Sequence, residues 1–237
     1  MSRKKSIALL LSVTLAATGI VGCQSSANSN LGTTGGQVEQ SAVVYEPENT
    51  YPVVSNHGSM QTYPDMKSVL NRAELVAAIQ IKEQETIQQS QSSVGTRSKA
   101  MIQEVFKGDE SLKNTTILIS EDGGIMDPSK VTGNETRIDP KNPPAETKGM
   151  VEIALDGSTV MKQNQRYFVF LRKSGNEENG YNVVGVVQGK IKIGEADRLV
   201  ATVDPKEMKE QSVKFWIQSQ FAGKSKQELV KTIEELK

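Results

Sequence analysis

Arg166-Tyr167-Phe168-Val169-Phe170-Leu171-Arg172 decides the fold. Aromatic and β-branched residues packed this densely between charged ends read as a strand. Phe168 and Phe170 share one parity, and Tyr167, Val169 and Leu171 share the other. Successive side chains of a strand point to opposite faces. This strand is therefore apolar on both faces and has to be covered on both. A barrel wall backed by a helix meets that demand, and the helix is expected at the C-terminus. There Ser225-Lys226-Gln227-Glu228 fits a capping box, and Leu229, Val230, Ile233 and Leu236 form one apolar face behind it.

Further strands are read on either side. Residues 181–187 (Tyr-Asn-Val-Val-Gly-Val-Val) follow Gly175-Asn176-Glu177-Glu178-Asn179-Gly180, a hairpin loop by composition. Gly189 then marks a bulge or sharp bend, as at a barrel corner. Residues 190–193 alternate again, and 198–203 form one more strand. Upstream, residues 74–82 read as a strand, with helix as the competing pattern. Residues 97–106 alternate until Phe106-Lys107-Gly108-Asp109 turns the chain. Thr115 to Ser120 is rich in β-branched residues and stops at Asp122-Gly123-Gly124. Residues 150–155 form another strand. Between them, 123–149 loses all periodicity and reads as a long loop or excursion. Asp65 caps a short helix carrying Met66, Val69 and Leu70. Residues 206–221 match no single pattern, and Trp216 within them reads as a packing residue. The fold class is mainly β, an α+β chain with a small antiparallel barrel and a C-terminal amphipathic helix.

The N-terminal quarter differs. Arg3, Lys4 and Lys5 precede an apolar stretch from Ile7 to Ile20, which reads as an export signal rather than a spanning segment. Ile20-Val21-Gly22-Cys23 closes it and resembles the lipobox of bacterial lipoproteins. That resemblance implies cleavage between Gly22 and Cys23, a diacylglyceryl thioether on the Cys23 sulfur, and acylation of the new amino terminus. Two or more chains hold a protein stably on a bilayer at about 0.8 kcal/mol per buried methylene. Residues 1–22 are thus expected to be a lipoprotein signal peptide. Residues 23–62, polar and broken by Pro47 and Pro52, are expected to be a flexible, disordered tether. The β-rich globular domain is expected over 63–237. His57 falls inside the tether and reads as a solvated linker residue.

Composition narrows the chemistry. Cys23 is the only cysteine and His57 the only histidine among 237 residues. Disulfides within the chain, cysteine-ligated zinc and thiol catalysis are excluded once Cys23 carries lipid. Any Ser-His-Asp arrangement would have to use His57. The signal contains three of the 28 basic residues and none of the 28 acidic ones, so the remainder is mildly acidic. Nucleic acid, which calls for a basic patch, is not an expected partner. Glu121, Asp122, Asp127, Glu135 and Asp139 are candidate Ca²⁺ ligands, but they lack a regular ligand spacing and read as solvated loop acids. Ser98-Lys99, Ser129-Lys130 and Ser225-Lys226 are adjacent pairs, and a pair on a strand is a poor nucleophile–base couple because strand neighbours face apart. No catalytic, cofactor-binding or metal-ligating residue is assigned, and no cofactor is expected.

Glu104-Val105-Phe106-Lys107-Gly108-Asp109, Gly123-Gly124, Gln165-Arg166-Tyr167-Phe168-Val169-Phe170-Leu171 and Val187-Gln188-Gly189-Lys190 together resemble a β-domain of secreted and lipid-anchored proteins of Gram-positive bacteria. The resemblance spans about residues 75–194 and implies a small barrel similar to an OB-like barrel. It brings no catalytic residue with it. The function expected is a membrane-anchored lipoprotein on the extracytoplasmic face, with a non-catalytic domain that binds an envelope protein or polymer. The competing expectations are an envelope hydrolase using paired carboxylates, and a protease-inhibitor-like barrel that presents the 123–149 loop.

Overall fold

The computed structural model describes residues 51–89, 93–127, 149–175 and 179–237. The stretch read as signal peptide, with Gly22 and Cys23, the part of the expected tether up to residue 50, and the loop acids Glu135 and Asp139 lie outside the described residues.

Among the described residues, ten strands and four α-helices follow one another as β1 (Val53–Asn56), α1 (Met66–Arg72), β2 (Leu75–Gln88), β3 (Val94–Lys107), β4 (Thr116–Asp122), β5 (Gly124–Met126), β6 (Val151–Leu155), β7 (Arg166–Lys173), β8 (Gly180–Val183), β9 (Lys190–Ile193), β10 (Leu199–Val200), α2 (Pro205–Glu210), α3 (Ser212–Phe221) and α4 (Lys226–Glu234). The main sheet runs β10-β9-β7-β2-β3-β4-β8, and β8 also pairs with β7. That last pairing closes β7-β2-β3-β4-β8 into a five-stranded barrel. Its neighbours are antiparallel except β4 and β8, which run parallel. This is the Greek-key closure expected of an OB-like barrel. Register shifts at Val76/Ala77, Ala78/Ile79 and Ile81/Glu83 bend β2, which lets its first half serve β7 while its whole length serves β3.

The two-sided burial of β7 is observed. Tyr167, Val169 and Leu171 point into the barrel with Leu75, Ile79, Ile81, Ile102, Ile119 and Met161. Phe168 and Phe170 point outward, against Val69 and Leu70 of α1, Ile217 and Phe221 of α3, and Leu229 and Ile233 of α4. Phe106 stacks on Phe168 with ring centroids 4.9 Å apart. Burying a side chain of this size contributes about 1.5–3 kcal/mol. Asp65 caps α1 by accepting from the Ser68 amide at 2.7 Å, and Ser225 and Glu228 form the expected capping box.

Four expectations are corrected. The stretch read as tether contains a strand, because β1 pairs in parallel with β6 to make, with β5, a small second sheet. The strand expected over 181–187 ends at Val183. Residues 184–189 then leave the edge of β7 as a blister and return, with Val184 donating to the Phe170 carbonyl, Phe170 to the Gly189 carbonyl and Gly189 to the Val184 carbonyl. A Cβ on Gly189 would lie 2.8 Å from the Phe170 carbonyl oxygen, so the chain closes there only without a side chain. The strand expected over 198–203 is only Leu199–Val200. Leu236 lies beyond α4 and is exposed, leaving Leu229 and Ile233 as its buried contacts. Residues 206–221 form α2 and α3. Trp216 is half-buried against the outer core and donates to the Tyr63 carbonyl at 3.0 Å.

Candidate functional site

The two ends of the barrel differ, and the difference locates the site. One end is sealed. Ser158–Lys162 crosses it and drops Met161 into the interior. Glu121, the last inward residue of β4, accepts from the Met161 amide at 3.1 Å and from the Lys190 ammonium at 2.7 Å. Lys190 also donates to the Thr159 carbonyl at 2.6 Å. Glu152 receives the Val160 amide at 3.3 Å and pairs with Lys162. Glu121 is therefore not the solvated loop acid expected. It is buried and committed to holding the seal.

Asp156 lies beside this end and is also buried. His57 Nδ1 meets it at 2.9 Å, and Lys214 meets its other oxygen at 2.7 Å. His57 is thus not a free linker residue: its ring docks the β1 arm on the domain, with the side chain still 59% exposed. This Asp–His couple has no serine completing it among the described residues, since Nε2 makes no hydrogen bond there. The three buried carboxylates each hold a lysine, an arrangement that builds structure rather than a free acid–base pair. Among the described residues no group of three His, Cys, Asp or Glu side chains converges in a way that would hold a metal.

The other end is open among the described residues. Leu75, Leu112 and Tyr181 floor a cleft of about 430 Å³ there, walled by Glu74, Asp109 and Lys173. Local chemistry places each wall. Glu74 precedes β2, and its carboxylate accepts from the Lys173 amide at 3.1 Å, which ties the start of β2 to the end of β7. Gly108 takes φ +109°, and a Cβ there would sit 2.7 Å from the Glu74 carbonyl oxygen. Only glycine lets the turn after β3 approach so closely, and that approach brings Asp109 up to Glu74. Asp109 accepts from the Ser111 amide at 2.9 Å to start a short 3-10 turn.

Tyr181 has interior parity on β8. It is only 6% exposed, and its hydroxyl makes no hydrogen bond among the described residues. Burial raises its pKa above the ordinary 10.0, with the Glu74 and Asp109 charges adding to the shift. The hydroxyl is accordingly protonated at neutral pH. Asp109 is held below its ordinary 3.8 by the hydrogen bonds from Ser111, which outweigh the opposing effect of burial, and the Lys173 charge adds a smaller lowering. The cleft so formed presents two carboxylates and a hydroxyl, with one lysine at the rim. Its volume lies within the roughly 300–1,000 Å³ of small-molecule sites.

Glu74, Asp109 and Tyr181 are not among the candidates drawn from sequence. Gly108-Asp109 at a strand end, and a tyrosine opening β8, are the local signals that could have pointed to them. No protein-family model matches the chain, and no curated protein matches it.

Proposed function

We propose that the protein is an extracytoplasmic lipoprotein, held on the cell membrane by diacylglycerol on Cys23, whose barrel binds an envelope polymer or protein without catalysis. The observation that carries the binding role is the open barrel end, a cleft of about 430 Å³ whose floor holds the buried ring of Tyr181, with a hydroxyl that makes no hydrogen bond among the described residues. Supporting it, the buried carboxylates at the sealed end are paired with lysines, and the barrel interior is filled with side chains. The anchor rests on Ile20-Val21-Gly22-Cys23 behind the basic and apolar signal. A polar tether from Cys23 to the start of β1 would reach on the order of 30 Å, enough to lift the cleft clear of lipid headgroups. No helix among the described residues is long and apolar enough to cross a membrane.

Photo-crosslinking in intact cells tests this. A photoreactive residue in place of Lys173 or Leu112, at the cleft, should yield adducts with envelope material. One in place of Lys99, on the barrel wall, should not. Adducts from position 99 alone would move the binding surface away from the open end.

A further inference from the structure

Resting on that reading of the cleft, we infer that the group it receives is a primary ammonium, free or carried at the tip of a larger envelope molecule. Two carboxylates, Glu74 and Asp109, face the space above the Tyr181 hydroxyl. Lys173 is the one cation among the lining residues, and it forms no ion pair with either carboxylate among the described residues. The charge of the walls is therefore left open to a ligand. A primary ammonium has three N–H donors and no acceptor, which matches three acceptors: one oxygen each from Glu74, Asp109 and Tyr181. An anionic group would meet two carboxylates for one lysine. A neutral group would desolvate both carboxylates without an opposite charge to compensate them. Leu75 and Leu112 supply an apolar side for the carbon next to the nitrogen.

Tyr181 separates this cleft from a mere collection of surface acids. Its ring is part of the barrel core, so the hydroxyl is fixed by packing and not by a hydrogen bond of its own. The hydroxyl opens into the cleft and makes no hydrogen bond among the described residues, so a ligand donor can take the place of the water it meets there.

The test uses the mature lipidated protein in non-ionic detergent micelles, with ligand-observed NMR of ethanolamine, N-acetylethanolamine and acetate. Ethanolamine should bind saturably, and the other two should not compete with it. Glu74→Gln should weaken ethanolamine about tenfold or more, the scale of a hydrogen bond to a charged group. Tyr181→Phe, which keeps the core ring, should weaken it severalfold. Lys99→Gln, on the barrel wall, should leave it unchanged. Trilysine binding more tightly than ethanolamine would mark an ammonium carried on a larger molecule, and equal affinity would mark a free amine; both support the inference. Acetate or N-acetylethanolamine binding with sensitivity to Tyr181→Phe would overturn the ammonium while leaving the cleft as the binding site. Ethanolamine binding that is indifferent to Glu74→Gln and Tyr181→Phe, or no binding of any probe, would overturn the inference and count against the cleft itself.

Discussion

Phe168 and Phe170 sit on the helix-covered side of β7, while Tyr167 and Val169 fill the barrel behind them. All four are at most 2% exposed. This division is legible in the sequence, because parity on a strand is local and needs no knowledge of the partner. Phe168→Ala or Phe170→Ala should therefore cost roughly 3–5 kcal/mol in equilibrium denaturation. A near-neutral result would mean that α3 and α4 do not cover this face. The Glu121–Lys190 pair is the opposite case. Its members are 69 residues apart, and nothing near either one signals the other. Glu121 follows a β-branched strand and precedes two glycines, so locally it looks like a loop acid. Its inward parity becomes meaningful only once the barrel closes and Ser158–Lys162 crosses the end. Lys190→Met should cost roughly 3–5 kcal/mol by leaving Glu121 buried and unpaired. The double variant Glu121→Leu/Lys190→Met should cost clearly less than the two single changes together. A double-mutant cycle reads that coupling, and strict additivity would contradict the pairing.

At the scale of elements, α4 and the blister show where local pattern works and where it fails. The capping box and the Leu229/Ile233 spacing locate α4, since both lie within a few residues. The blister is not legible. Val184 and Val187 are β-branched and flank a glycine, which suits a strand. In the fold, however, Gly185 and Val186 take φ +65° and +59°, and Val184 and Val187 turn to separate clusters outside the barrel. Gln188 explains the detour. Its side-chain amide accepts from the Tyr63 amide at 2.9 Å and donates to the Tyr63 and Val213 carbonyls, fastening the N-terminal arm and α3 to the edge of the barrel. Those partners are distant in sequence, so no window around Gln188 reveals them. The start of α4 is held electrostatically as well. Lys226 pairs with Glu104 on β3 and lies 3.2 Å from Asp197. Burial alone would lower the Lys226 pKa, but hydrogen bonds to Glu104 and Asp197 outweigh it and raise it above 10.5. The hydrogen bond from Lys226, with that from Arg166, holds Asp197 below 3.8, against a smaller opposing effect of burial. A depressed carboxylate stabilises the fold above its unfolded pKa, and the contribution is lost as pH falls through the folded value. The raised lysine keeps its contribution until pH climbs through its folded pKa. Urea midpoints of the wild type and Asp197→Asn should accordingly differ at about pH 6, and the gap should close below about pH 4. A gap independent of pH would place the effect of Asp197 in packing rather than charge.

At the scale of the whole molecule, closure is what the sequence only implies. A strand apolar on both faces demands two covers, and the barrel and helices supply them. The candidate site depends on the same closure. Glu74, Asp109 and Tyr181 come from three separate stretches, and only the ring β7-β2-β3-β4-β8 gathers their ends around one cleft. The β1 arm escapes sequence reading for a related reason: Val53–Asn56 is short, its flanks are polar, and its partner β6 lies about a hundred residues on. The proposed lipid anchor on Cys23 would give the open cleft an envelope partner to meet. Mass spectrometry of the N-terminal peptide, from protein recovered in the membrane fraction of its own cells, tests the joint claim most directly. The account predicts a chain that begins at Cys23 and carries a diacylglyceryl group on the sulfur. A chain that begins at another residue, or an unmodified Cys23 on a membrane-retained protein, would contradict it.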